Sequence, residues 1–156
     1  MNAYTLLKVA HIIGATVLFG TGAGIAFFML MAHRTRDAVL VAHTAGIVVI
    51  ADMIFTASAM VLQPFTGAAL AFRAGFPILA GWIGLSVILY VVTGMFWLPV
   101  VWIQMRMRDL ARDAARTGHP LPQAYFRLFR IWFAFGFPAF GAIVGIIWLM
   151  VAKPDL

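Results

Sequence analysis

Four apolar stretches, at about 3–32, 38–72, 78–105 and 125–152, take up nearly the whole chain and leave little choice of architecture. A membrane helix needs ~20 predominantly apolar residues, because a rise of ~1.5 Å per residue must cross a hydrocarbon core ~30 Å thick. Each stretch exceeds that length, so tilted helices or protruding ends are expected. Inside hydrocarbon every backbone N–H and C=O must be satisfied within the chain, which favours helices for such segments. The expectation is an all-α integral membrane four-helix bundle, a single transmembrane domain over residues 1–156 with the lipid bilayer as its surroundings. The start, MNAYTLLKVAHIIGATVLFG, lacks a small-residue cleavage pattern and reads as a retained helix.

Only 10% of the residues are charged, against roughly a quarter in soluble domains, which excludes a soluble catalytic module of any size. A net charge of +6 would suggest a nucleic-acid partner in a soluble protein, but its distribution argues otherwise. Arg34, Arg36, Arg106, Arg108, Arg112, Arg116, Arg127 and Arg130 flank one side of the predicted spans, and only Lys8, Arg73 and Lys153 the other. The positive-inside rule then puts the first and third loops in the cytoplasm and both termini in the periplasm of a multi-pass bacterial inner-membrane protein, with no role in binding nucleic acid. The basic loop at about 106–124 begins with charges of alternating sign at helical spacing, as a solvated continuation of the third span would. The absence of Cys excludes disulfides, thiolate catalysis, iron–sulfur clusters and covalently attached haem, and the absence of Glu disfavours a carboxylate-rich di-metal site.

At 100° per residue, Asp52, Thr56, Gln63 and Gly67 share one sector of the second span, with Met60 at its edge. Trp82, Ser86, Tyr90, Thr93, Trp97 and Gln104 form a matching stripe on the third. The small residues Gly14, Gly20, Gly22 and Gly24 on the first span, and Gly141 and Gly145 on the fourth, are expected to let helices approach closely. Asp52 is the only carboxylate inside a span, where a charge costs ~2.5–3.5 kcal/mol or more. It reads either as a proton-handling residue or as half of an interhelical hydrogen bond to Tyr90 or Thr93. His11 is the other buried ionisable candidate. Gly14, one turn on, leaves room for a flat ligand beside its ring, so His11 suits either an axial haem ligand or a packed hydrogen-bonding residue. Met60 lies at comparable depth on the second span as a candidate for the opposite axial position. His43 faces away from the Asp52 stripe, and His33 and His119 are expected at the interface, solvated.

The segment Tyr4-Thr5-Leu6-Leu7-Lys8-Val9-Ala10-His11-Ile12-Ile13 resembles the start of the bacterial HemJ-type protoporphyrinogen oxidases, which also carry a second His near the end of that span, as His33 does here. Over its whole length the chain more closely resembles an uncharacterised bacterial family of predicted integral membrane proteins, grouped with HemJ-type and copper-resistance CopD-like proteins. The stretches that carry this resemblance are Gly14–Gly20, Gln63–Gly67, Trp97–Trp102 and Trp148–Pro154. The closer resemblance implies a four-helix membrane protein of unknown function. The more distant one implies haem b, with His11 as the iron ligand, and porphyrin- or quinone-linked redox work. The Pro-Arg pair that HemJ-type proteins carry late in this span is absent; the chain reads Ala26-Phe27-Phe28-Met29 there, so protoporphyrinogen oxidation does not transfer.

The leading expectation is thus a b-type haem redox protein of the inner membrane, with a homodimer as one candidate assembly. His11 would bind iron, Met60 would face it, Gly14 and Trp82 would line the pocket, Lys8 and Arg73 would meet the propionates, and Asp52 and Tyr90 would handle a proton. The alternatives are a cofactor-free interaction or assembly protein and a small proton-coupled transporter built on Asp52.

Overall fold

The computed structural model describes residues 2–155, which are helical almost throughout and contain no strand. Helix α1 (Ala3–Thr35) turns sharply into α2 (Ala38–Ala51), which continues through a π-helical turn (Asp52–Thr56) into α3 (Ala57–Ala74). Helices α4 (Gly81–Thr117) and α5 (Gln123–Ala152) complete the chain. With α2, the π turn and α3 taken as one rod, four helices are long and apolar enough to cross a membrane. Helix α4 continues to Thr117, so most of the basic third segment is helix, and only the stretch around Gly118–Pro122 is loop.

Local chemistry sets the corners. The Asn2 side chain accepts from Thr5 N–H at 2.9 Å and caps α1. Arg36 adopts a left-handed conformation (φ 55°) to close α1, and the Asp37 carboxylate then accepts from the amides of Val39 and Leu40 to open α2. Gly75 and Gly118, both at positive φ, terminate α3 and α4. Gly84 is required for space, since a Cβ there would lie 2.8 Å from the backbone carbonyl group of Leu79.

The two ends of the bundle differ. At the end that carries the Arg-rich segments, here the basic end, Met29, Val41, Met107, Ala111, Tyr125 and Phe129 belong to one buried cluster drawn from α1, α2, α4 and α5. Lipid tails are as apolar as these side chains, so packing contacts and hydrogen bonds hold the cluster rather than exclusion of water. At the opposite, terminal end, α1 packs on α3 and α4 on α5. Of the glycines expected to seat helices, Gly145 meets Leu89, but a Cβ at Gly20, Gly22 or Gly141 would touch nothing within 4 Å. Helix α1 buries Leu18, Ile25, Met29 and Ala32; Gly20 lies on the opposite side of the helix, whereas Gly22 lies on this face with open space where its Cβ would be.

His33 is not the solvated interfacial residue its sequence position suggested. Its ring stacks on Phe129 with centroids 3.5 Å apart and 4° between planes, and its Nδ1 lies 3.3 Å from the Tyr125 hydroxyl. These partners come from α5, more than ninety positions away in sequence, where no local pattern could announce them.

Candidate functional site

Asp52 sits on the π turn, buried to 4% exposure. Such turns replace i→i+4 bonds by wider i→i+5 bonds, as when Ala57 N–H donates to the Asp52 carbonyl, and they recur at functional positions. The carboxylate does not pair with Tyr90 or Thr93. Its Oδ1 accepts from the Trp97 indole Nε1 at 3.4 Å, while the Thr93 hydroxyl donates to Leu89 of its own helix at 2.9 Å. Oδ2 makes no well-formed hydrogen bond, and neither does the Thr56 hydroxyl one turn on, although Thr56 stands close enough to the carboxylate to interact with it.

Tyr90 is engaged elsewhere for a reason visible in the chain. Pro64 lies inside α3 and has no N–H, so the carbonyl of Met60, four residues earlier, loses its helical donor. The Tyr90 hydroxyl donates to that carbonyl. Tyr90 therefore completes the α3 backbone from a neighbouring helix.

Further buried polar atoms without partners lie toward both ends. Gln63 Oε1 is eleven residues beyond Asp52 on the same rod, and Gln104 Oε1 is seven residues beyond Trp97 on α4, toward the basic end. With ~1.5 Å rise per residue, the carbonyl-type atoms of Gln63, Asp52 and Gln104 are strung over ~27 Å, close to the thickness of a hydrocarbon core. Trp132 Nε1 adds an unpartnered donor in the cluster at the basic end. Polar groups so placed normally have partners.

His11 forms a second constellation nearer the terminal end. Its Nδ1 lies 2.8 Å from the Thr66 hydroxyl, and its ring fills the space above Gly67, where a Cβ would come within 3.2 Å of Cε1. The Gln63 amide donates to the His11 carbonyl at 3.0 Å and occupies the surface of Gly14. The Thr66 hydroxyl has one proton and stands 3.0 and 3.1 Å from the carbonyls of Leu62 and Gln63. When that proton goes to a carbonyl, His11 Nδ1–H is the donor to Thr66 and Nε2 keeps its lone pair, the arrangement typical of a metal-binding imidazole.

The other predicted site residues scatter. Gly14 faces Gln63 and offers no flat seat beside His11. The Met60 side chain points toward Gly94 on α4, so a cradle closed by His11 and Met60 does not fit. Trp82 packs edge-on against Phe76, with Lys153 6.0 Å from its ring, in a surface concavity of about 430 Å³ that also involves Pro77 and Pro154. Lys8 and Arg73 are exposed at the terminal end. Among the described residues no cluster of three or more His, Cys, Asp or Glu could hold a metal ion. Thr66 and Trp132 are absent from the sequence candidates, although Thr66 lies in the Gln63–Gly67 stretch that carries the family resemblance.

No curated protein and no solved structure matches the chain. Residues 5–154, which include all four membrane-spanning segments, match the family described as "Predicted integral membrane protein (DUF2269)". The chain belongs to that family of predicted integral membrane proteins.

Proposed function

We propose that the protein passes protons across a bacterial inner membrane by way of Asp52, with its basic end in the cytoplasm. The line of buried, unpartnered polar atoms from Gln63 through Thr56 and Asp52 to Gln104 carries this reading. Asp52 is the one group on the line able to bind and release a proton. Thr56 can both donate and accept, and the Gln carbonyl oxygens accept from water. Waters bridging the intervals would link these groups, since a bridging water costs little where two or more polar partners await it. Trp97 fixes one carboxylate oxygen and leaves the other free to exchange. The excess of arginines at the basic end supports the orientation.

The test uses purified protein in liposomes with an internal pH dye and a potassium diffusion potential. Proton entry above that of empty liposomes is expected for the wild type, loss of it in Asp52→Asn, and partial recovery in Asp52→Glu. Flux that is absent in the wild type, or unchanged in Asp52→Asn, would overturn the proposal.

A second reading rests on a separate observation, the contact of His11 Nδ1 with the Thr66 hydroxyl, which leaves Nε2 its lone pair when Nδ1 carries the proton. In it His11 is the sole protein ligand to haem b, with Lys8 and Arg73 available to the propionates as charge-assisted partners. Bound haem would supply one-electron chemistry, with quinone or porphyrin as the class of partner, and Asp52 would take up the accompanying proton. It predicts a Soret band in protein purified from haem-replete cells and its loss in His11→Ala. Colourless wild-type protein would dismiss it while leaving the proton reading intact.

A further inference from the structure

A concavity of about 370 Å³ opens between α2 and α4 near the basic end, lined by Ala42, His43, Gly46, Ile47, Ile50 and Arg112. Its position along the rod is informative. Gly46 lies ten residues from Thr56, the midpoint of the 37-residue span Ala38–Ala74. At ~1.5 Å per residue that is ~15 Å, the half-thickness of a hydrocarbon core, so the concavity sits where acyl chains give way to headgroups.

The cation there is available. Arg108 pairs with Asp109 at 2.9 Å and Arg116 with Asp113 at 3.2 Å, which accounts for both carboxylates of the segment. Among the described residues Arg112 has neither an ion-pair partner nor a side-chain hydrogen bond. Its guanidinium folds back along α2 instead, with Nη2 3.3 Å from where a Cβ of residue 46 would be, so the glycine lets it lie close to the helix. His43 is exposed beside it, and Ile47 and Ile50, more than half exposed, continue the groove toward the membrane centre.

We infer that this groove binds an anionic phospholipid. The phosphate would meet the Arg112 guanidinium, with His43 as a further hydrogen-bond donor or acceptor, and one acyl chain would lie along Ile47 and Ile50. A guanidinium offers two parallel N–H groups to a phosphate, and basic pockets between membrane helices recognise anionic headgroups in this way. Zwitterionic lipid would fit the apolar part of the groove but would bring its own cation to the arginine. Free phosphate would satisfy the arginine and leave the isoleucines uncovered.

The experiment compares delipidated full-length protein in detergent with added phosphatidylglycerol, phosphatidylcholine of the same chains, or inorganic phosphate. Binding is read by native mass spectrometry and by the shift in thermal unfolding. Phosphatidylglycerol should be retained and should raise the unfolding temperature, and the other two should do neither. Arg112→Gln should weaken phosphatidylglycerol binding about tenfold. Arg116→Gln, which removes a charge from the same helix but not from the groove, should not. Ile47→Trp, which fills the apolar part and keeps every charge, should also weaken it. Equal retention of the two lipids, an effect of inorganic phosphate alone, or equal losses in Arg112→Gln and Arg116→Gln would overturn the inference.

Discussion

Tyr90→Phe removes one oxygen atom, and its effect should depend on whether residue 64 is proline. In the native chain the Met60 carbonyl has no helical donor because Pro64 has no N–H, and the Tyr90 hydroxyl takes that place. Without the hydroxyl the carbonyl is left unpaired in a low-dielectric setting, which costs ~1–3 kcal/mol in general. Hydrogen bonds between membrane helices measure ~0.6 kcal/mol on average and ~1.7 at most, so ~1 kcal/mol is the expectation here. In a Pro64→Ala background the new N–H of residue 64 bonds the same carbonyl, and Tyr90→Phe should then cost less than ~0.5 kcal/mol. The four proteins form a double-mutant cycle with a coupling of ~1 kcal/mol, readable as the shift in reversible unfolding midpoints in mixed detergent and dodecyl sulfate micelles. Equal costs of Tyr90→Phe in the two backgrounds would refute the assignment of Tyr90 as the surrogate donor.

Two further substitutions probe close contacts with the same unfolding assay. Gly84→Ala should destabilise by ~1–3 kcal/mol, because its Cβ would meet the backbone of Leu79 at 2.8 Å, although helix propensity alone favours alanine by ~1 kcal/mol. A neutral or stabilising result would mean that the turn before α4 yields easily. His33→Leu should cost ~1–2 kcal/mol through loss of the stack on Phe129 and of the contact with the buried Tyr125 hydroxyl, and should alter the near-ultraviolet dichroism of the aromatic cluster. A solvated His33 would tolerate the change without effect.

The four spans were legible because hydrocarbon demands length and apolarity, and both are written locally in the chain. The polar stripes on the second and third spans were legible from helical period, and Asp52, Thr56, Gln63, Ser86, Thr93 and Gln104 are all buried. The pairings within the stripes were not. Depth counted along straight helices put Tyr90 opposite Asp52, whereas the carbonyl freed by Pro64 claims the tyrosine and leaves Trp97 for the carboxylate. That competition was readable in principle, since every proline in a helix frees the carbonyl four residues before it. The π turn had no such mark: DMIFT contains neither glycine nor proline. The glycine stripes were legible only in part: Gly14 and Gly145 meet Gln63 and Leu89, but Gly20, Gly22 and Gly141 meet nothing, because small residues permit close approach without requiring it.

A water-bridged polar line through the bundle is the physical basis of the proposed proton passage, and hydroxyl-radical footprinting in lipid nanodiscs tests it most directly. Radicals form where water is, so they label interior side chains beside bound water and spare those facing lipid. Trp97 donates to Asp52 within the bundle, whereas Met53 and Met95, at 52% and 68% exposure, face outward into the hydrocarbon. Methionine is intrinsically easy to oxidise, which makes the comparison severe. Oxidation of Trp97 with Met53 and Met95 protected is the predicted result; protection of Trp97 together with both methionines would contradict a hydrated interior at Asp52.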